Sequence, residues 1–147
     1  MIEVVVALTL IILFLSGVVI VELYAVKNAD FARNKSNSTR LARQQLERAR
    51  VIRDSVGIAV LTECQLEKCF INNLLTPIPL PLVTPTGFYR QSLSITQDLV
   101  DCPLPTVVQG PAAVSYKATA LVSWAVGVAD ITPAPEVEVS SCITDWR

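Results

Sequence analysis

The first feature of the chain is a block of uninterrupted apolarity. Val4 to Val21 is eighteen residues without a charge, relieved only by Thr9, Ser16 and Gly17, and Glu3 and Glu22 bracket it. At ~1.5 Å per residue, ~20 such residues cross the ~30 Å hydrocarbon of a bilayer. The pattern predicts a transmembrane helix over residues 1–26. A secretory signal peptide would carry a basic n-region, a shorter apolar core and a small-residue cleavage site. No Lys or Arg precedes position 27, and no clear Ala-x-Ala site follows.

The period then changes. Ser38, Leu41 with Ala42, Gln45 with Leu46, Ala49, Ile52 and Val56 recur three or four apart, which marks one apolar stripe on an amphipathic helix. Neither Pro nor Gly occurs between Val18 and Val56, and Gly57 supplies a stop. The two patterns together predict one nearly continuous helix from about residue 2 to about residue 55, ~80 Å long. Its second half, residues 27–56, is the amphipathic segment.

Beyond it, residues 57–147 read as a globular domain. A proline-rich stretch at about 72–87 (INNLLTPIPLPLVTPTG from Ile71) reads as an extended connector with local polyproline character. Three runs then show strand-like alternation: GFYRQSLSITQD, SYKATALVSWAV and PEVEVSSCIT. Turn signals at Pro103, Pro105, Gly110, Pro111, Pro133 and Pro135 separate them. A helix followed by three or four antiparallel strands is an α+β architecture. The sheet is expected to lie on the helix stripe around Leu46, Ala49 and Ile52.

Charge sharpens these boundaries. The net charge is −1, but residues 27–53 hold eight of the twelve basic residues, whereas residues 54–147 hold nine acids and four bases. The positive-inside rule assigns the basic stretch to the cytoplasm. The four cysteines point instead to an oxidising compartment. A processed chain, whose leading positive charge has been removed, reconciles the two. The basic stretch reads either as a solvated face near lipid headgroups or as a contact for acidic surfaces of neighbouring copies. Without interleaved aromatics it is a poor nucleic-acid surface.

The same inventory bears on chemistry. The chain has no histidine, and so lacks the commonest general base and metal ligand. Asp98 and Asp101 lie beside a turn and read as solvated, not as an acid pair. Four cysteines allow three pairings. The four-residue spacing of Cys64 and Cys69 favours a local loop, and with it a Cys102–Cys142 bridge. Zinc ligation needs knuckle-like pairs that this spacing does not provide. Two N-x-S/T triplets, Asn34-Lys35-Ser36 and Asn37-Ser38-Thr39, fall inside the predicted helix. No catalytic residue, metal or cofactor is expected.

The opening MIEVVVALTLIILFLSG, followed by a long helix containing ARQQLERARVIRD, resembles the N-terminal signature of type IV pilins and type II secretion pseudopilins. The resemblance covers about 55 residues. It implies a leader removed by a prepilin peptidase, a methylated new N-terminus and a non-enzymatic filament subunit. In such a subunit Glu3 would pair with the N-terminal amine of a neighbouring copy. The family's glutamate is usually fifth in the mature chain, whereas here it is third, so Met1 is not assigned the methylated position. The partners implied are identical or homologous subunits, the membrane before assembly, and the assembly machinery. The implied location is the bacterial inner membrane, then an extracellular filament. Gly17 is the expected soft point of the helix. A pseudopilin or minor pilin is the alternative within the family. A monomeric membrane-anchored extracytoplasmic binding domain is the alternative from another class.

Overall fold

The computed structural model describes residues 2–80, 88–103, 114–125 and 134–145. Helix α1 spans Ile2–Ser55. A 3-10 turn at Ile58–Leu61 and the short helix α2 at Glu63–Leu66 follow. The strands are β1 Cys69–Ile71, β2 Pro77–Pro79, β3 Tyr89–Gln97, β4 Val114–Trp124 and β5 Glu136–Asp145. They form one antiparallel sheet in the order β2-β1-β3-β4-β5. The fold is α+β. The chain divides into two compact units, Met1–Lys35 and Ser36–Arg147.

Within the second unit, α1 buries Ser38, Ala42, Gln45, Leu46, Ala49 and Ile52, one face of the helix. The sheet contributes Leu93 and Ile95 from β3, Ala118, Ala120 and Val122 from β4, and Ile143 from β5 to the same core. These β3 and β4 residues fall at every second position because successive strand side chains point to opposite faces; the positions between them are polar except Leu121. Small residues on both layers, Ala42 and Ala49 on α1 and Ala118 and Ala120 on β4, are fully buried in this core. Val56 also belongs to the predicted stripe. It is exposed, because α1 ends at Ser55 and the chain turns away at Gly57. Gly57 has φ 105°, a conformation that side chains disfavour, and its N–H bonds back to the carbonyls of Ile52 and Arg53.

The proline-rich stretch holds more structure than a connector. Pro77–Pro79 pairs with β1 as the sheet's edge strand, a place where proline's missing N–H costs no ladder bond. The Asn72–Thr76 turn joins the two strands. Asn72 Oδ1 accepts the N–H groups of Leu74 and Thr76, both at 2.9 Å. Leu75 sits at φ 58°, which costs a bulky L-residue roughly 1–2 kcal/mol. The sheet therefore has five strands, where alternation alone indicates three or four. The rest of the connector, 81–87, and the turn signals at Pro105, Gly110, Pro111 and Pro133 lie outside the described residues.

Two disulfides close the fold, Cys64–Cys69 and Cys102–Cys142. The first ties α2 to β1. The second ties the loop after β3 to β5, across the end of β4. That loop is further fixed by Asp98, whose N–H bonds to the Ser115 carbonyl and whose Oδ1 accepts the N–H groups of Val100 and Asp101. Those N–H bonds, Asp101's first and then Val100's, hold the Asp98 carboxyl below the ordinary aspartate range. Asp101 in turn pairs with Lys117 on β4 and raises the lysine's pKa.

Candidate functional site

The first unit presents its apolar surface to its surroundings. From Ile2 to Phe31 every described residue is exposed, including Leu13, Phe14, Val21 and Tyr24. This helix, near the N-terminus, is long and apolar enough to cross a membrane, and its most apolar window buries nothing. A soluble surface seldom carries an apolar area of this extent without an interaction that covers it.

The few polar side chains in the apolar run satisfy themselves. Thr9 Oγ1 donates to the Val6 carbonyl and Ser16 Oγ to the Leu13 carbonyl, each at 2.8 Å. Neither hydroxyl therefore needs water or a partner helix, which suits hydrocarbon. Glu3 differs. It lies exposed in the first turn of α1, where the open N–H groups and the helix dipole favour a carboxylate by ~0.3–1 kcal/mol. That contribution is small beside the ~2.5–3.5 kcal/mol charged for an acid at mid-bilayer on insertion scales.

The α1 backbone is helical through Gly17, with no break. A Cβ there would meet nothing within 4 Å. The missing side chain leaves a shallow apolar groove lined by Leu13, Phe14, Gly17, Val18, Val21 and Glu22.

In the second unit, Leu46, Ala49 and Ile52 are 4%, 0% and 2% exposed and belong to the helix–sheet core. Gln45, a polar residue within the stripe, holds a further position that apolar periodicity does not explain. β1 pairs with β3 only at Cys69–Leu93, so Ile71 has no β3 partner on that side. The Gln45 amide fills the gap. Its Oε1 accepts the Ile71 N–H at 3.1 Å, and its Nε2 donates to the Ile71 carbonyl at 3.3 Å and to Gln91 Oε1 at 3.0 Å. Arg48 Nη1 donates to the same carbonyl at 2.7 Å and reaches Asn73 through its other nitrogen. On the opposite flank Arg50 reaches Ser141 and Arg53 reaches the Thr144 carbonyl, both on β5.

Three of the eight basic residues in 27–53 therefore key the helix to the sheet. Lys27, Arg33, Arg40 and Arg43 stay exposed. Both N-x-S/T triplets lie on α1, and Ser38 is fully buried. Among the described residues no cluster of three or more His, Cys, Asp or Glu side chains is placed to hold a metal ion. All four cysteines are in disulfides.

Compared with protein-family models, curated proteins and solved structures, the chain matches none.

Proposed function

We propose that this chain is a structural subunit of a type IV pilus-like filament. It waits in a membrane through residues 1–26 and assembles by bundling those helices with copies of itself. One observation carries the reading: an apolar helical surface, exposed from Ile2 through Val26, bears a carboxylate in its first turn. Lipid covers the apolar surface before assembly. Lipid does not satisfy Glu3, whereas the N-terminal amine of a neighbouring helix does. A charge pair in a dry bundle is favourable when both partners are present and penalised when one is missing. Glu3 thus selects the neighbour's axial position as well as adding to cohesion. Many copies related by one such repeated, non-closing contact form a helical filament. The chain catalyses no reaction in this scheme, and assembly energy comes from separate machinery.

The test is Glu3→Ala in the producing cell, with electron microscopy of surface filaments and a membrane-fraction assay. The expected result is a chain still held in the membrane and filaments lost. Normal filament numbers that incorporate the variant would remove Glu3 from assembly. A wild-type chain that forms no filaments would leave a membrane-anchored monomer. Mass spectrometry of the native N-terminus tests for processing and methylation ahead of Glu3.

A further inference from the structure

The two edges of the sheet differ in what they offer a further strand. A strand residue turns its N–H and carbonyl to one side, and successive residues alternate sides. At the β2 edge, Asn72 N–H bonds to the Thr76 carbonyl and Leu80 N–H to the Lys68 carbonyl, which sets Ile78 towards β1. Pro77 and Pro79 therefore face outwards, and neither has an N–H to donate. That edge is closed to a new strand.

β5, at the other edge, is open. On β4 the Ser115 carbonyl accepts the Asp98 N–H from the β3 side, and the Trp124 N–H bonds to the Pro135 carbonyl on the β5 side. The register with β4 then turns the backbone of Val137, Val139, Ser141 and Ile143 inwards to the ladder. Glu136, Glu138, Ser140, Cys142 and Thr144 turn theirs away from the sheet. Of these outward groups, the Thr144 carbonyl has a partner among the described residues, Arg53 Nη1 at 3.5 Å. The side chains of Glu136, Glu138, Ser140 and Cys142 are exposed.

We propose that β5 pairs with β5 of a second copy, antiparallel, about a dyad at Ser140. Backbone complementarity and charge select this occupant. Copies adding edge to edge in one direction would need β2, which its prolines close. β5 on β5 is self-complementary and ends as a pair. With Ser140 on Ser140, all five outward residues match one another: Glu136 faces Thr144, and Glu138 faces Cys142. A dyad at Glu138 would set two carboxylates directly opposite, which destabilises a strand pair. The dyad at Ser140 keeps the two Glu138 residues four positions apart, at least ~13 Å. On the helix side Val137, half-exposed in one copy, falls opposite Ile143 of the other. This pairing does not depend on the filament reading. Within that reading it belongs to the membrane-held chain, because parallel neighbours related by rotation and rise share no dyad.

The experiment uses the full chain in membranes of the producing cell, treated with a short bis-maleimide. All four native cysteines are in disulfides, so an added thiol reacts alone. Ser140→Cys is expected to give one covalent dimer and nothing larger, because hydrogen-bonded partners across such a ladder lie ~5.5 Å apart. Glu136→Cys is expected to give none, its twin being eight residues along the ladder, ~27 Å away. Adding Glu138→Pro to Ser140→Cys removes an outward N–H from each copy and no bond to β4. It is expected to lower the dimer yield at least about fivefold while the second unit keeps its thermal transition. Val139→Pro, whose N–H faces β4, is expected to lose that transition. No dimer from Ser140→Cys, a ladder beyond the dimer, equal yields from Ser140→Cys and Glu136→Cys, or an unchanged yield with Glu138→Pro would overturn the pairing. Filaments are not counted, so each of these results leaves the filament reading as it stands.

Discussion

The two ends of α1 share a backbone conformation and differ in everything that surrounds it. Through Phe31 the helix buries no side chain; between Ser38 and Ile52 it buries six. From Val4 to Val21 the first stretch carries no charge on any side. The second buries one stripe, from Ser38 to Ile52, and sets Arg48, Arg50 and Arg53 along its flanks. Helix propensity does not account for either, because a lone helix in water is marginal and most helical stability comes from what the helix packs against. The first stretch, long and apolar enough to cross a membrane, has no such packing among the described residues. The second carries its own cover in the sheet.

Substitutions placed symmetrically on the two stretches test that contrast, and the largest effect is expected at the sheet. Leu46→Asp buries an unpaired carboxylate and should destabilise the second unit by about 4 kcal/mol or more, read as loss of its cooperative thermal transition. Leu15→Asp should leave that transition in place and instead weaken membrane retention, by ~2.5–3.5 kcal/mol on insertion scales, read in a fractionation assay. If Leu15→Asp also unfolds the sheet, the two stretches are not independent.

The next effect belongs to the strap across β4. Replacing both Cys102 and Cys142 by serine opens a loop of 40 residues and should cost ~4 kcal/mol in denaturant unfolding. Gln45→Leu comes after it. The larger apolar surface does not offset an Ile71 N–H left without its partner, and about 1–3 kcal/mol should be lost, with faster hydrogen exchange at Ile71. The smallest change has the opposite sign. Leu75→Gly should stabilise by about 0.5–1 kcal/mol, because glycine accepts the positive φ that leucine resists.

Ionisation refines the picture of the strap. Asp98 has a lowered folded pKa, so its contribution is present above the ordinary aspartate value and lost as pH falls through the lowered one. Lys117 has a raised folded pKa, so its contribution is full below the ordinary lysine value and lost as pH rises through the raised one. The loop should hold firmly between these limits and loosen first in acid, seen as exchange of the Val100 and Asp101 amides.

Much of this layout is legible in the sequence, because it rests on period. The eighteen-residue apolar run, the stripe through Ala49 and Ile52, and the alternation that becomes β3, β4 and β5 each repeat often enough to declare a conformation. What escapes is non-repeating. β2 is three residues with two prolines, and only its edge position makes it a strand. Gln45 interrupts the stripe in a way that signals a buried amide, yet its partner on β1 is 26 residues away and the local pattern does not name it. The positive φ of Leu75 is set by Asn72 and not by leucine's own preference. Glu3 is legible as a misfit, a carboxylate in the first turn of an apolar helix.

The bonds on both flanks of α1 have a mechanical consequence. Gln45 and Arg48 hold β1, and Arg50 and Arg53 hold β5, so the helix is keyed to both sides of the sheet like a beam in a mortise. A pull along the helix axis is carried by all of these bonds at once, in shear, and not one after another as in peeling. Such parallel loading lets the sheet stay attached to this segment under tension while each bond remains individually weak.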